Sequence, residues 1–269
     1  FTNTAGTNDA ITLDDASNAF SGTVTFSTDS GSAVTVVDTT ALDLLALSAA
    51  SLSVTAGGAV TDSGTLAITG ATTISASGQD ITLDEAASTF GTLALTGSNV
   101  AVTENAAMDL GASTIGGTAN FNSTSNVITD SGTLAITGAT TINAGTADIT
   151  LDQAASTFGA LALTGANVAV TENAATDLGA STVSGTFGIT SGGAITDSGT
   201  QDITGASTFT NTAGTNDAIT LDDVSNAFSG TVTFSTDSGS AVTIVDTTAL
   251  DLLALSAASL SVTSGGAVT

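Results

Sequence analysis

TDSGTLAITGATTI, residues Thr61–Ile74, returns letter for letter at Thr129–Ile142, and a looser copy, TDSGTQDITGASTF, begins at Thr196. The copies are spaced by 68 and then 67 residues. Around them runs a longer period of 208 residues: Phe1–Thr61 recurs as Phe209–Thr269 with three changes, Ala16 to Val224, Val36 to Ile244 and Ala56 to Ser264. Self-similarity along a whole chain marks stacked modules, each burying its apolar face against its neighbours, and not a single globular core. It also argues against catalysis, which needs one unique site.

Within each copy the strand signal is strong. Leu66-Ala67-Ile68, Leu93-Ala94-Leu95, Leu134-Ala135-Ile136 and Leu161-Ala162-Leu163 alternate with period two and are separated by Gly, Ser, Asn and Asp clusters that form turns. No segment shows a helical period. Aligning the runs on an Ile or Val followed by Thr selects Ile11, Val34, Val60, Ile81, Val102, Ile128, Ile149, Val170, Ile195, Ile219, Val242 and Val268. Their mean interval is about 23 residues, the size of one solenoid coil. The expected fold is therefore all-β, a right-handed parallel β-helix (β-solenoid) with about 23 residues per coil and three coils per repeat of about 70. Residues 1–269 are expected to form one continuous segment of a longer array. A string of immunoglobulin-like sandwiches fits less well, because such domains need about 100 residues and carry no coil-sized period.

Composition narrows the function. Lys, Arg and His are absent while Asp and Glu total 25, a formal charge of −25. Nucleic-acid binding requires cations on the protein, and so does electrostatic docking to an anionic membrane; neither is expected. There is no cysteine, hence no disulfide framework or thiol chemistry. Proline is also absent, as a stack of strands donating every backbone N–H requires. The 30 glycines are expected to supply positive φ at the corners.

The acidic residues recur with the coils: Asp14, Asp38, Asp62, Asp84, Glu104, Asp130, Asp152, Glu172, Asp197, Asp222 and Asp246 each lie two to four positions beyond an anchor. This predicts an acidic column along one edge. Two carboxylates about 5 Å apart repel by roughly 0.8 kcal/mol even in water, so an ion shared between coils would help. The adjacent pairs Asp14/Asp15, Asp84/Glu85 and Asp222/Asp223 are the calcium candidates, calcium being bound by hard oxygen ligands. The alternative is a solvated, salt-screened edge with no cofactor required. Departures from a regular pattern, such as Asp152-Gln153, favour that alternative.

Catalytic use of the acidic pairs would need groups to tune a pKa or stack on a sugar, and Arg, Lys, His, Tyr, Trp and Cys are all missing. No enzyme activity is expected. Phe20, Phe90, Phe158 and Phe228 follow the ITLD segments and their equivalents, and are expected to plug corners or core. Thr23-Val24-Thr25 and Thr231-Val232-Thr233 suggest an ice-binding TxT pattern, but most coils read LAIT, LALT or VAVT.

Tandem segments such as TLAITGATTI, TLALTGSNVAVTE and ALALTGANVAVTE give the chain a resemblance to the repetitive passenger or stalk regions of filamentous-haemagglutinin-like and autotransporter-type bacterial surface adhesins. The resemblance implies an extended β-helix, secretion to the extracellular or cell-surface side of a bacterium, and adhesion or biofilm roles. The expected function is a structural segment of a long extracellular fibre. The alternatives are the stalk of an adhesin with its tip elsewhere, and a self-assembling functional amyloid. Expected partners are copies of the chain or adjoining repeats end to end, together with extracellular matrix or another cell surface, and no nucleic acid.

Overall fold

A computed structural model describes residues 1–3, 9–29, 31–212, 216–236, 239–253 and 255–269. The described residues contain strands and turns and no helix. They form two compact units, Phe1–Gly138 and Ala139–Thr269. Each unit is a parallel β-solenoid.

In the first unit one sheet runs through Ile11–Leu13, Ala33–Asp38, Ser51–Ala56, Ala71–Ser75, Thr92–Gly97, Met108–Leu110 and Ile128–Asp130. A second sheet runs through Thr23–Val24, Leu42–Leu44, Val60–Asp62, Ile81–Leu83, Val100–Thr103 and Ala119–Asn122. The chain visits the sheets in turn, and among the described residues neighbouring strands pair in parallel. Short strands such as Leu47–Ala49 with Leu66–Ile68, and Ser113–Ile115 with Leu134–Ile136, pair along a third side.

The second unit repeats the plan. One sheet holds Ile149–Leu151, Val168–Glu172, Phe187–Ser191, Ser207–Asn211, Thr231–Ser235 and Asp251–Leu252. The other holds Thr140–Asn143, Ala160–Gly165, Thr176–Leu178, Ile195–Asp197, Ile219–Leu221, Ala241–Asp246 and Ser259–Ser264.

Period-two alternation decides what is inside. Thr92–Gly97 and Ala160–Gly165 alternate half-buried and buried residues, with Leu93, Leu95, Leu161 and Leu163 fully enclosed. Each such side chain contributes about 1.5–3 kcal/mol on burial. In the second unit Phe187, Phe209, Phe228 and Phe234 join the core, the Phe209 ring lying 5.7–6.0 Å from each of the other three.

The coil is shorter than the anchor spacing suggests. Register steps in the first unit are 21 residues from Val60 to Ile81, 19 from Ile81 to Val100 and 19 from Val100 to Ala119. The anchor Val102 pairs with Leu83, and Ile81 pairs with Val100. In V-A-V-T both valines point inward, so alternation alone cannot choose between them.

A larger consequence concerns the repeat. Val60–Asp62, which opens the first TDSGT copy, lies in the second sheet, whereas Ile128–Asp130, which opens the next copy, lies in the first. Three register steps from Val60 reach Ala119, and half a coil later the chain arrives at Ile128 on the opposite sheet. The repeat therefore spans three and a half coils, not three. The second unit shows the same independently: Ile149 steps to Val168, Phe187 and Ser207 in one sheet, and its copy Ile219 sits in the other. Identical sequence thus faces alternate sides.

The glycines act differently from the expectation. Among the described glycines only Gly78 and Gly145 have positive φ. Most of the others are needed because coils touch at the corners: a Cβ on Gly138 would lie 2.5 Å from the Gly117 carbonyl oxygen, and one on Gly91 2.5 Å from that of Gly70. In the DSG turns, Cβ atoms on Gly64, Gly132 and Gly199 would run into the backbone nitrogens of Ala46, Ala112 and Ala180.

Candidate functional site: turns clamped by buried carboxylates

The expected acidic column is not one solvated edge. Asp38, Asp62, Glu104, Asp130, Glu172 and Asp246 are buried, with exposures of 0–7%, while Asp14, Asp84, Asp152 and Asp222 are exposed and Asp197 is half-buried. Apart from Asp130, the two classes belong to one recurring device, a tight turn held by acids from neighbouring coils. It occurs at residues 14–20, 84–90, 152–158 and 222–228.

The turn at 84–90 shows its construction. Ser88 N–H donates to the Glu85 carbonyl at 2.8 Å, closing the turn, and the buried Ser88 hydroxyl oxygen accepts the Leu66 N–H at 3.0 Å. On one side, Asp62 Oδ1 accepts the Asp84 N–H at 2.9 Å. On the other, Glu104 Oε2 accepts the Phe90 N–H at 2.8 Å. The turn thus lies between two buried acids from adjacent coils. Phe90 itself is buried, as a corner plug should be.

Equivalent bonds hold the other turns. Phe20 N–H donates to Asp38 Oδ1 at 3.1 Å and Phe228 N–H to Asp246 Oδ1 at 3.1 Å. Phe158 N–H donates to Glu172 Oε1 at 2.8 Å. Asp197 accepts the Asp222 N–H at 2.8 Å and the Asn226 side-chain amide at 2.6 Å. Asp15 and Asp223 have local work, their Oδ1 atoms accepting Ser17 and Ser225 N–H at 2.8 Å.

Burial without a cation raises carboxyl pKa values, and backbone donors partly offset that. Burial pushes Glu104 up to about 8 against the Phe90 N–H, and Asp62 up to about 6 against donors on Asp84 and Glu85, whose negative charges push in the same direction as burial. Glu172 and Asp197 are also raised by burial. One difference between Glu104 and Glu172 is traceable to a single residue. Thr176 Oγ1 donates to Glu172 Oε2 at 2.9 Å, whereas the matching position beside Glu104 is Met108, and Glu104 Oε1 has no partner.

The calcium candidates Asp14, Asp15, Asp84, Glu85, Asp222 and Asp223 all lie on these turns, at their exposed or half-exposed lips. Among the described residues no three acidic side chains come together as a group that could hold a metal ion.

Sequence reasoning missed a corner ladder. Asp80 Oδ1 accepts both the backbone and side-chain N–H groups of Asn99, at 3.0 and 2.9 Å, and Asn99 Oδ1 accepts the backbone N–H and hydroxyl of Thr118, both at 3.0 Å. Asp148, Asn167 and Thr186 repeat it. The signal was present as a polar residue directly before each strand at 19-residue spacing. The clamp acids were found, but their burial was hidden by a spacing that an exposed column would share.

The family model described as repeats of unknown function (DUF5649) matches residues 2–27, 31–96, 97–164 and 165–235. No curated protein and no solved structure matches the chain.

Proposed function

The chain belongs to the family of repeats of unknown function (DUF5649), and we propose that it is a structural segment of a long extracellular bacterial fibre or surface scaffold, without catalysis. The observation that carries this reading is the recurrence of the clamped turn: the acids, the turn serine or asparagine and the phenylalanine are spent on holding coils together, once in every repeat. Half-integral repeats support it further, since they distribute the same surface over both faces and favour no single site. Neighbours of the same kind are the natural partners, because each coil offers a full row of backbone donors and acceptors to the next. The stalk of a surface adhesin uses the same architecture, with binding assigned to another module. Gold-labelled antibodies raised against this segment should decorate filaments on intact producing cells. Labelling seen only after permeabilisation would contradict an extracellular fibre.

A further inference from the structure

We propose that stacking of the coils is coupled to proton uptake at Glu104 and Asp62, the two acids that clamp the turn at 84–90, so that acidification tightens the solenoid and rising pH loosens it. Both side chains are buried, at 0% and 6% exposure, and each leaves one buried oxygen, Glu104 Oε1 and Asp62 Oδ2, with no hydrogen-bond partner. The chain has no Lys, Arg or His to neutralise them. A buried carboxylate with few donors and no counter-charge is costly, and the proton is the one counter-charge that water always supplies.

The surroundings reinforce this. The turn packed before Glu104 carries Asp84 and Glu85, both negative, and the coil packed after it, residues 119–126, contains no titratable group. Asp62 faces the same Asp84 and Glu85 from the following coil. Asp43, on the strand before Asp62, is directed elsewhere: its carboxylate accepts the Thr61 and Ser63 hydroxyls. Burial disfavours ionisation of both acids, and at Asp62 the charges of Asp84 and Glu85 add to it.

The direction of the pH dependence follows from linkage. For Glu104, raised from 4.5 to about 8, the stabilising protonated form is fully present below about 4.5 and is lost as pH climbs towards 8. For Asp62 the corresponding window runs from 3.8 to about 6. A solenoid of this kind is strongest in mildly acid surroundings, opposite to proteins whose acids are salt-bridged.

The test is a melting-temperature series from pH 4.5 to 8.5 in high salt, where repulsion among surface carboxylates is screened but the buried groups are not. The wild-type chain should melt progressively lower as pH rises. Glu104→Gln and Asp62→Asn, neutral at all pH, should melt higher than wild type at pH 8.5 and flatten the slope. Met108→Thr, which copies Thr176 beside Glu172, should lower the Glu104 titration midpoint followed by carboxyl carbon NMR. That NMR titration of the folded wild type decides the matter even if a variant fails to fold. Midpoints at ordinary carboxylate values, or a Glu104→Gln chain weakened equally at both ends of the pH range, would overturn the proposal.

Discussion

Gly132 illustrates how little room a corner leaves. Its φ is unremarkable for any residue, yet a Cβ there would meet the backbone nitrogen and Cα of Ala112 in the preceding coil. Backbone cannot yield as a side chain can, so Gly132→Ala should cost about 3 kcal/mol. Gly116 provides the control, because the nearest atom to its added Cβ is the Gly97 oxygen at 3.9 Å. Gly116→Ala should change stability by about 0.5 kcal/mol or less. Denaturant titration of the two variants checks the difference, and equal effects would show that corner glycines serve flexibility and not approach.

For the strands, the decisive quantity is register. Val100 is buried and pairs with Ile81, while Ala101 between the two valines points outward and pairs with Thr82. Val100→Asp should prevent stable folding of its coil, since a buried unpaired charge costs several kcal/mol, whereas Ala101→Asp should be tolerated. Circular dichroism melts of both variants read this directly. At the turn lips, Asp14/Asp15, Asp84/Glu85 and Asp222/Asp223 are exposed or half-exposed, and among the described residues no group of three acids that could hold a metal ion forms. We expect calcium chloride and sodium chloride to give matching melts at equal ionic strength, with magnesium as a size control. A calcium-specific gain in melting temperature would restore these pairs as ion sites.

At the scale of the molecule, each unit is legible in the sequence as a β-solenoid because Leu66-Ala67-Ile68 and its copies alternate so cleanly and proline never interrupts them. What could not be read was phase. The two sheets are built from interchangeable strands, Val60-Thr61-Asp62 in one and Ile128-Thr129-Asp130 in the other, so an anchor-based alignment merges them and inflates the coil. Burial of Glu104 and Asp62 was hidden for a related reason: nothing in E or D reveals whether the next coil closes over it.

The repeat of three and a half coils is the central claim, and spin-label distances test it most directly. The chain has no native cysteine, so paired labels can be placed cleanly. Thr61 and Asn120 point outward on the same sheet three register steps apart, which predicts a separation on the order of 14 Å. Thr129 lies only nine residues beyond Asn120 but faces outward from the opposite sheet. The Thr61 to Thr129 pair should therefore read roughly 20 Å, about 17 Å along the stack combined at right angles with about 10 Å between faces. A Thr61 to Thr129 distance as short as that of Thr61 to Asn120 would mean a whole number of coils per repeat and would contradict the account.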